Sequence, residues 1–126
     1  DYQLRVALNY LNGAANAPAA RAQAAAPVVA MLGTFAIAVL SGSGDAAAIA
    51  FNKAVLPHAE QLGMTQVDLG NVAWLGGGLG RSMSPVAAAC AIAAGYAGVS
   101  VFDVAKRNAI PAIAAAVVVV VILGFL

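Results

Sequence analysis

Two apolar runs, Val28 to Leu40 and Ala46 to Leu56, flank the pentapeptide Ser41-Gly42-Ser43-Gly44-Asp45. Two serines, two glycines and an acid cannot comfortably continue a helix through lipid. Each arm, taken as helix, rises 1.5 Å per residue and reaches roughly 20 Å or less. A bilayer core of about 30 Å takes about 20 apolar residues to cross. Neither arm therefore spans alone. Residues 27–57, bracketed by Pro27 and Pro57, read as a re-entrant hairpin. Its polar tip needs protein or a water-filled cavity around it, because lipid does not tolerate non-helical backbone at that depth.

Composition supports a membrane setting. The chain is 63% hydrophobic and 9% charged, with mean hydropathy +0.90, against about 25% charged residues in soluble domains. A net charge of +1 gives no electrostatic case for nucleic acid. The single cysteine, Cys90, excludes an internal disulfide and any metal site built on cysteine spacing, and it reads as small filler in a packed helix. The chain starts Asp1-Tyr2-Gln3 without Met or a leader pattern, so it reads as a piece of a longer polypeptide with too few passes to enclose a solute path.

Before the hairpin, residues 1–26 read as a short amphipathic interfacial helix carrying Leu4, Leu8 and Leu11. Asn12-Gly13 would end it, and an Ala-rich connector containing Pro18 would follow. After the hairpin, Thr65 caps a helix with Asp68 as the acidic half of a capping box. That helix is expected to dissolve at Gly76 and to resume at Pro85, making residues 66–97 a broken helix. Gly98 to Asn108 reads as a loop carrying Asp103, Lys106 and Arg107, and 109–126 as the last transmembrane helix. Those cations place the loop in the cytoplasm by the positive-inside rule. The fold class is thus an all-α membrane protein with re-entrant hairpin, discontinuous helix and final span. Trp74 reads as packed core.

Discontinuous helices build binding sites in secondary transporters. A helix that begins at a break points free N–H groups and its positive dipole end into the gap. Two such ends, at Asp45 and at Ser84-Pro85, would fit a dianion with one carboxylate on each, helped by the hydroxyls of Ser41, Ser43, Ser82 and Ser84. Arg81 either clamps a carboxylate or pairs structurally with Asp45. Asp45 either caps its helix or carries a proton or the coupling cation. The Gly76–Gly80 run lacks the order of a phosphate-binding loop. A serine hydrolase built on Ser43 and His58 is the reading from another class, but a helical arm would hold the two roughly 20 Å apart.

Ser41-Gly42-Ser43-Gly44, Gln61-Leu62-Gly63, Val101 to Arg107 and above all Leu79-Gly80-Arg81-Ser82-Met83-Ser84-Pro85-Val86 resemble the DcuC family of anaerobic C4-dicarboxylate carriers, over roughly Pro27 to Leu126. The resemblance implies the second inverted repeat of an ion-transporter-superfamily carrier, with 27–126 as part of its transport domain. It implies uptake, exchange or efflux of succinate, fumarate or malate across the bacterial inner membrane, coupled to Na⁺, protons or counter-substrate and without a resident cofactor. The missing N-terminal half of the transporter and a second copy in a homodimer are the implied protein partners. The family's site signatures fall on Ser41, Gly42, Ser43 and Gly44 and on the stretch from Gly78 through Gly80, Arg81, Ser82 and Ser84 to Pro85. Gly77 and Gly78 stand where members carry Asn or Ser, which removes a side-chain ligand. A related carrier of monocarboxylates or amino acids is the alternative.

Overall fold

Alanine has the highest helix propensity, and glycine and proline the lowest, so an Ala-rich chain with scattered Gly and Pro pits one against the other. In the computed structural model, which describes residues 2–125, alanine wins over most of the length. Helix α1 runs unbroken over Tyr2–Ser41, about 60 Å at 1.5 Å per residue. The expected stop at Asn12-Gly13 and the expected connector over residues 16–26 are both helical. Pro27, an interior proline that costs a helix about 3 kcal/mol, is accommodated. No separate amphipathic helix forms. The first arm of the hairpin is longer than its apolar run implied, and Ala20–Ser41 is long and apolar enough to cross a membrane.

Helix α2 spans Gly44–Val55, and two 3-10 turns, Leu56–His58 and Glu60–Leu62, lead to α3 at Gln66–Ser82. Thr65 caps α3 as expected: its Oγ1 accepts from the Asp68 N–H at 3.1 Å and donates to Asp68 Oδ2 at 2.6 Å. The expected dissolution at Gly76 does not occur, and α3 continues through Gly76, Gly77, Gly78, Gly80 and Arg81. The second break is confined to residues 83–87. Pro85 lies inside it, and α4 starts later than expected, spanning Ala88–Ala97. The expected loop over Gly98 to Asn108 is mostly helix, since α5 covers Val101–Phe125 with Pro111 inside it. Among the described residues there are no strands. Asp1 and Leu126, the ends of the expected first and last segments, lie outside the described residues.

The glycines stay helical because the packing uses them. A Cβ on Gly76 would strike the Met31 carbonyl and Thr34 Oγ1, one on Gly80 the Phe35 carbonyl, and one on Gly77 would lie 2.5 Å from the Gly44 carbonyl. One edge of α3 is thus a glycine seam on which α1 and α2 rest backbone to backbone, the close approach that small residues permit in membranes. Around it lies a small core of Ala30, Met31, Ala59, Leu69, Val72 and Ala116. The opposite edge of α3 is open, with Gly78 meeting nothing. Trp74, read as core, is 45% exposed and lines a groove with Asn71, Leu75 and Gly78. Helix α5 packs on α3, α4 and α1 but leaves Ile110, Ile113, Val117, Val118, Val121 and Ile122 exposed. So greasy an outer face suits lipid or further protein rather than water. Val101–Leu123 is the second helix long and apolar enough to cross a membrane.

Candidate functional site

At the first break, Gly42 takes φ +73°, and its N–H closes α1 on the Ala38 carbonyl at 2.9 Å. Ser43 is extended and caps α2, its Oγ accepting from the Ala46 N–H at 3.2 Å. The Ser41 hydroxyl spans the turn, donating to the Ser43 carbonyl and accepting from the Ser43 N–H, both at 3.3 Å. At the second break, the Met83 N–H reaches the Gly80 carbonyl at 3.3 Å and the Ser84 N–H the Arg81 carbonyl at 3.2 Å. Helix α4 begins with Ala87 as N-cap and no side-chain cap, so its first N–H groups have no hydroxyl or carboxylate on them.

These two breaks meet. A Cβ on Gly42 would lie 2.9 Å from Ala87 N and from Val86 C, so the residues ahead of the two helix starts are neighbours. The Ser84 hydroxyl, fully buried, donates to the Val39 carbonyl at 2.7 Å and accepts from the Val86 N–H at 3.2 Å. Ser84 therefore fastens the end of α1 to the second break, and its proton is committed there instead of facing open space. Gly44 backs onto Gly77, and Arg81 lies beside them, with Nη1 3.9 Å from Asp45 Oδ1. That pair is long and half exposed (45% and 65%), a geometry worth about 0–1 kcal/mol, so both charges remain available to a solute. The Ser82 hydroxyl donates back to the Gly78 carbonyl at 2.8 Å.

The residues expected at a site thus sort into three groups. Ser41, Gly42, Ser43, Gly44, Asp45, Arg81 and Ser84 meet at the junction of the breaks, with Ser82 and Pro85 next to it along the chain. Gly80 is consumed by packing on α1, and Gly78 looks away toward the Trp74 groove. Ser43 caps the start of α2 and His58 closes the 3-10 turn beyond its end, so the helix alone, roughly 18 Å long, lies between them and rules out a proton relay. Among the described residues no three His, Cys, Asp or Glu side chains gather as a metal site.

Asn108 is the contributor that pattern reading missed. Its Nδ2 donates to the Ser82 carbonyl at 3.1 Å, and the Cys90 thiol lies 3.8 Å from the same oxygen. The signal was a lone amide at the start of the final apolar run. Because it pins α5 to the end of α3, Asn108 also marks the level of the breaks. Leu123 lies about 22 Å away along α5, whereas Lys106 and Arg107 are within about 3 Å. The second break therefore shares the level of α5's charged turn.

The sequence profile of the DcuC family, described as C4-dicarboxylate anaerobic carrier, matches residues 7–126. The chain belongs to the DcuC family. A Haemophilus influenzae protein described as an uncharacterized transporter is 50% identical over 80 residues, 64% of this chain and 29% of that protein. The anaerobic C4-dicarboxylate transporter DcuC of Escherichia coli K12 is 34% identical over 88 residues, 70% of this chain and 19% of its own length. The chain thus corresponds to under a third of the relatives it matches. No solved structure matches it. The DcuC family is one of membrane transporters and not of enzymes, in keeping with the two long apolar helices and with the separation of Ser43 from His58.

Proposed function

We propose that this chain is the C-terminal part of a multi-pass secondary carrier that moves succinate, fumarate or malate across a bacterial inner membrane by uptake, exchange or efflux. The observation that carries the reading is the junction itself, where two helix starts and one arginine are gathered at a single point. Helix N-termini attract anions through aligned N–H groups and the dipole. The Ser43 hydroxyl and the uncapped start of α4 are the donors for one carboxylate, and Arg81 is the clamp for the other. The hairpin of α1 and α2 is re-entrant, since α2 alone covers roughly 18 Å of a core of about 30 Å.

Asp45, beside Arg81, is the candidate for proton or Na⁺ coupling, because its charge would otherwise repel a dianion. The N-terminal part of the same protein supplies the remainder of the site and the remaining walls. The complete carrier works as a homodimer by an elevator-like displacement, and nucleic acid has no part in it.

The test is exchange of labelled succinate by the full-length protein in proteoliposomes, with and without a Na⁺ gradient and against a panel of anions. Fumarate and malate should compete while monocarboxylates and amino acids do not, and Ser43→Ala and Arg81→Ala should each raise KM with expression intact. Transport of monocarboxylates in preference to succinate would overturn the substrate class, and wild-type exchange in both variants would overturn the site.

A further inference from the structure

Two cavities with charged and amide side chains on their walls adjoin beside the second break. One, about 220 Å³, is lined by Arg81, Ser82, Cys90 and Asn108 among others. The second, about 440 Å³, is lined by Asp103, Lys106, Arg107 and Asn108 with the end of α4. Val104 and Asn108 belong to both, so the two form one groove leading from the chain surface to the break. Three of the six Lys and Arg residues of the whole chain line it. The acids facing them are Asp103 within the groove and Asp45 beyond Arg81.

Placing cations only to orient a helix needs no cavity; a flanking turn suffices. Here Lys106 and Arg107 line a cavity at the level of the breaks and share it with the residue that holds the Ser82 carbonyl. Charges within about 10 Å of one another act together at 0.1 M salt, and a cleft with an excess of one sign of charge, here three cations against Asp103 on its walls, raises the local concentration of the opposite ion. Resting on the carrier reading above, we propose that this groove is an anion-collecting vestibule. In it, Lys106 and Arg107 concentrate carboxylate solutes from bulk water and deliver them to Arg81 and the junction. A dianion gains twice from such a field, so the vestibule also favours dicarboxylates over monocarboxylates.

The experiment is initial-rate succinate exchange by the full-length protein over a range of ionic strength. It is run in zwitterionic liposomes and again with phosphatidylglycerol added. Neutralising both cations, Lys106→Gln with Arg107→Gln, is expected to raise KM roughly three- to tenfold at low salt, to flatten its salt dependence and to leave kcat unchanged. The charge-keeping pair Lys106→Arg with Arg107→Lys should behave as wild type. Asp103→Asn should lower KM, and it decides the matter alone if the neutral pair is not inserted. A salt-independent wild-type KM overturns the vestibule, as does an unchanged KM in Asp103→Asn. An effect of neutralisation seen only with phosphatidylglycerol assigns the groove to a lipid headgroup and also overturns it. Absence of succinate exchange in wild type is a different failure, that of the carrier reading itself.

Discussion

The adjacent glycines Gly77 and Gly78 should respond in opposite directions to the same substitution. An ideal Cβ on Gly77 lies 2.5 Å from the Gly44 carbonyl oxygen and 3.2 Å from its carbon. A carbon–oxygen contact settles near 3.3 Å or beyond, so α2 must retreat by about 0.8 Å. The obstacle is backbone and has no rotamer to change. Overpacking of this kind costs about 1–3 kcal/mol, and a rigid obstacle puts Gly77→Ala toward the upper part of that range. The helix-propensity gain of Gly→Ala returns about 1 kcal/mol, leaving a net loss of about 1–2 kcal/mol. At Gly78 a Cβ meets nothing within 4 Å, so Gly78→Ala keeps the propensity gain and loses no packing. Thermal unfolding of the detergent-purified full-length protein should therefore place Gly77→Ala below wild type and Gly78→Ala at or above it. Succinate exchange should fall only in Gly77→Ala, because the retreat of α2 moves Ser43 and Asp45 relative to Arg81. Equal melting of the two variants, or a Gly77→Ala protein as stable and active as wild type, would refute the seam.

Ser84→Ala removes the donor to the Val39 carbonyl and the acceptor for the Val86 N–H. Both bonds are part-buried, so leaving the partners unpaired costs toward the lower end of about 1–3 kcal/mol each, and the unfolding midpoint should drop and exchange fall with it. Gly42→Ala must adopt φ +73° and place its Cβ 2.9 Å from Ala87 N. It should be less stable than Ser84→Ala, since strain in the left-handed region adds to the clash. Asp45→Asn should melt within about 0.5 kcal/mol of wild type, because the Arg81 pair is long and exposed. A loss of cation- or proton-driven uptake in that stable variant would then report coupling, and a marked destabilisation would show the pair to be structural.

The interruption at Gly42-Ser43 and the Thr65 cap were legible because their signals are local. Ser and Gly beside an acid disfavour helix within a few residues, and Thr65 and Asp68 need only each other. The second break was misplaced because its apparent signal, the Gly76–Gly80 run, has two meanings. Glycine breaks a helix facing solvent, yet it preserves one that lies against another backbone, and only the positions of Met31, Phe35 and Gly44 decide between them. Likewise, Asn12-Gly13 carries a stop signal that the surrounding alanines outweigh, and the loop expected up to Asn108 is helix from Val101 on. At the junction, sequence named the serines and Arg81. It could not show that Ser84 is spent on Val39 or that Gly78 faces outward, since both depend on contacts between distant parts of the chain.

The glycine seam also limits how these helices can move. Where main chains touch without intervening side chains, no rotamer can flip to absorb sliding, and Ser84 rivets the far end of the same boundary. The hairpin and the interrupted helix are consequently one stiff block, so a shift at the tip carries the second break with it. On the carrier reading proposed above, any alternation of access then has to happen along the outer margins of this block.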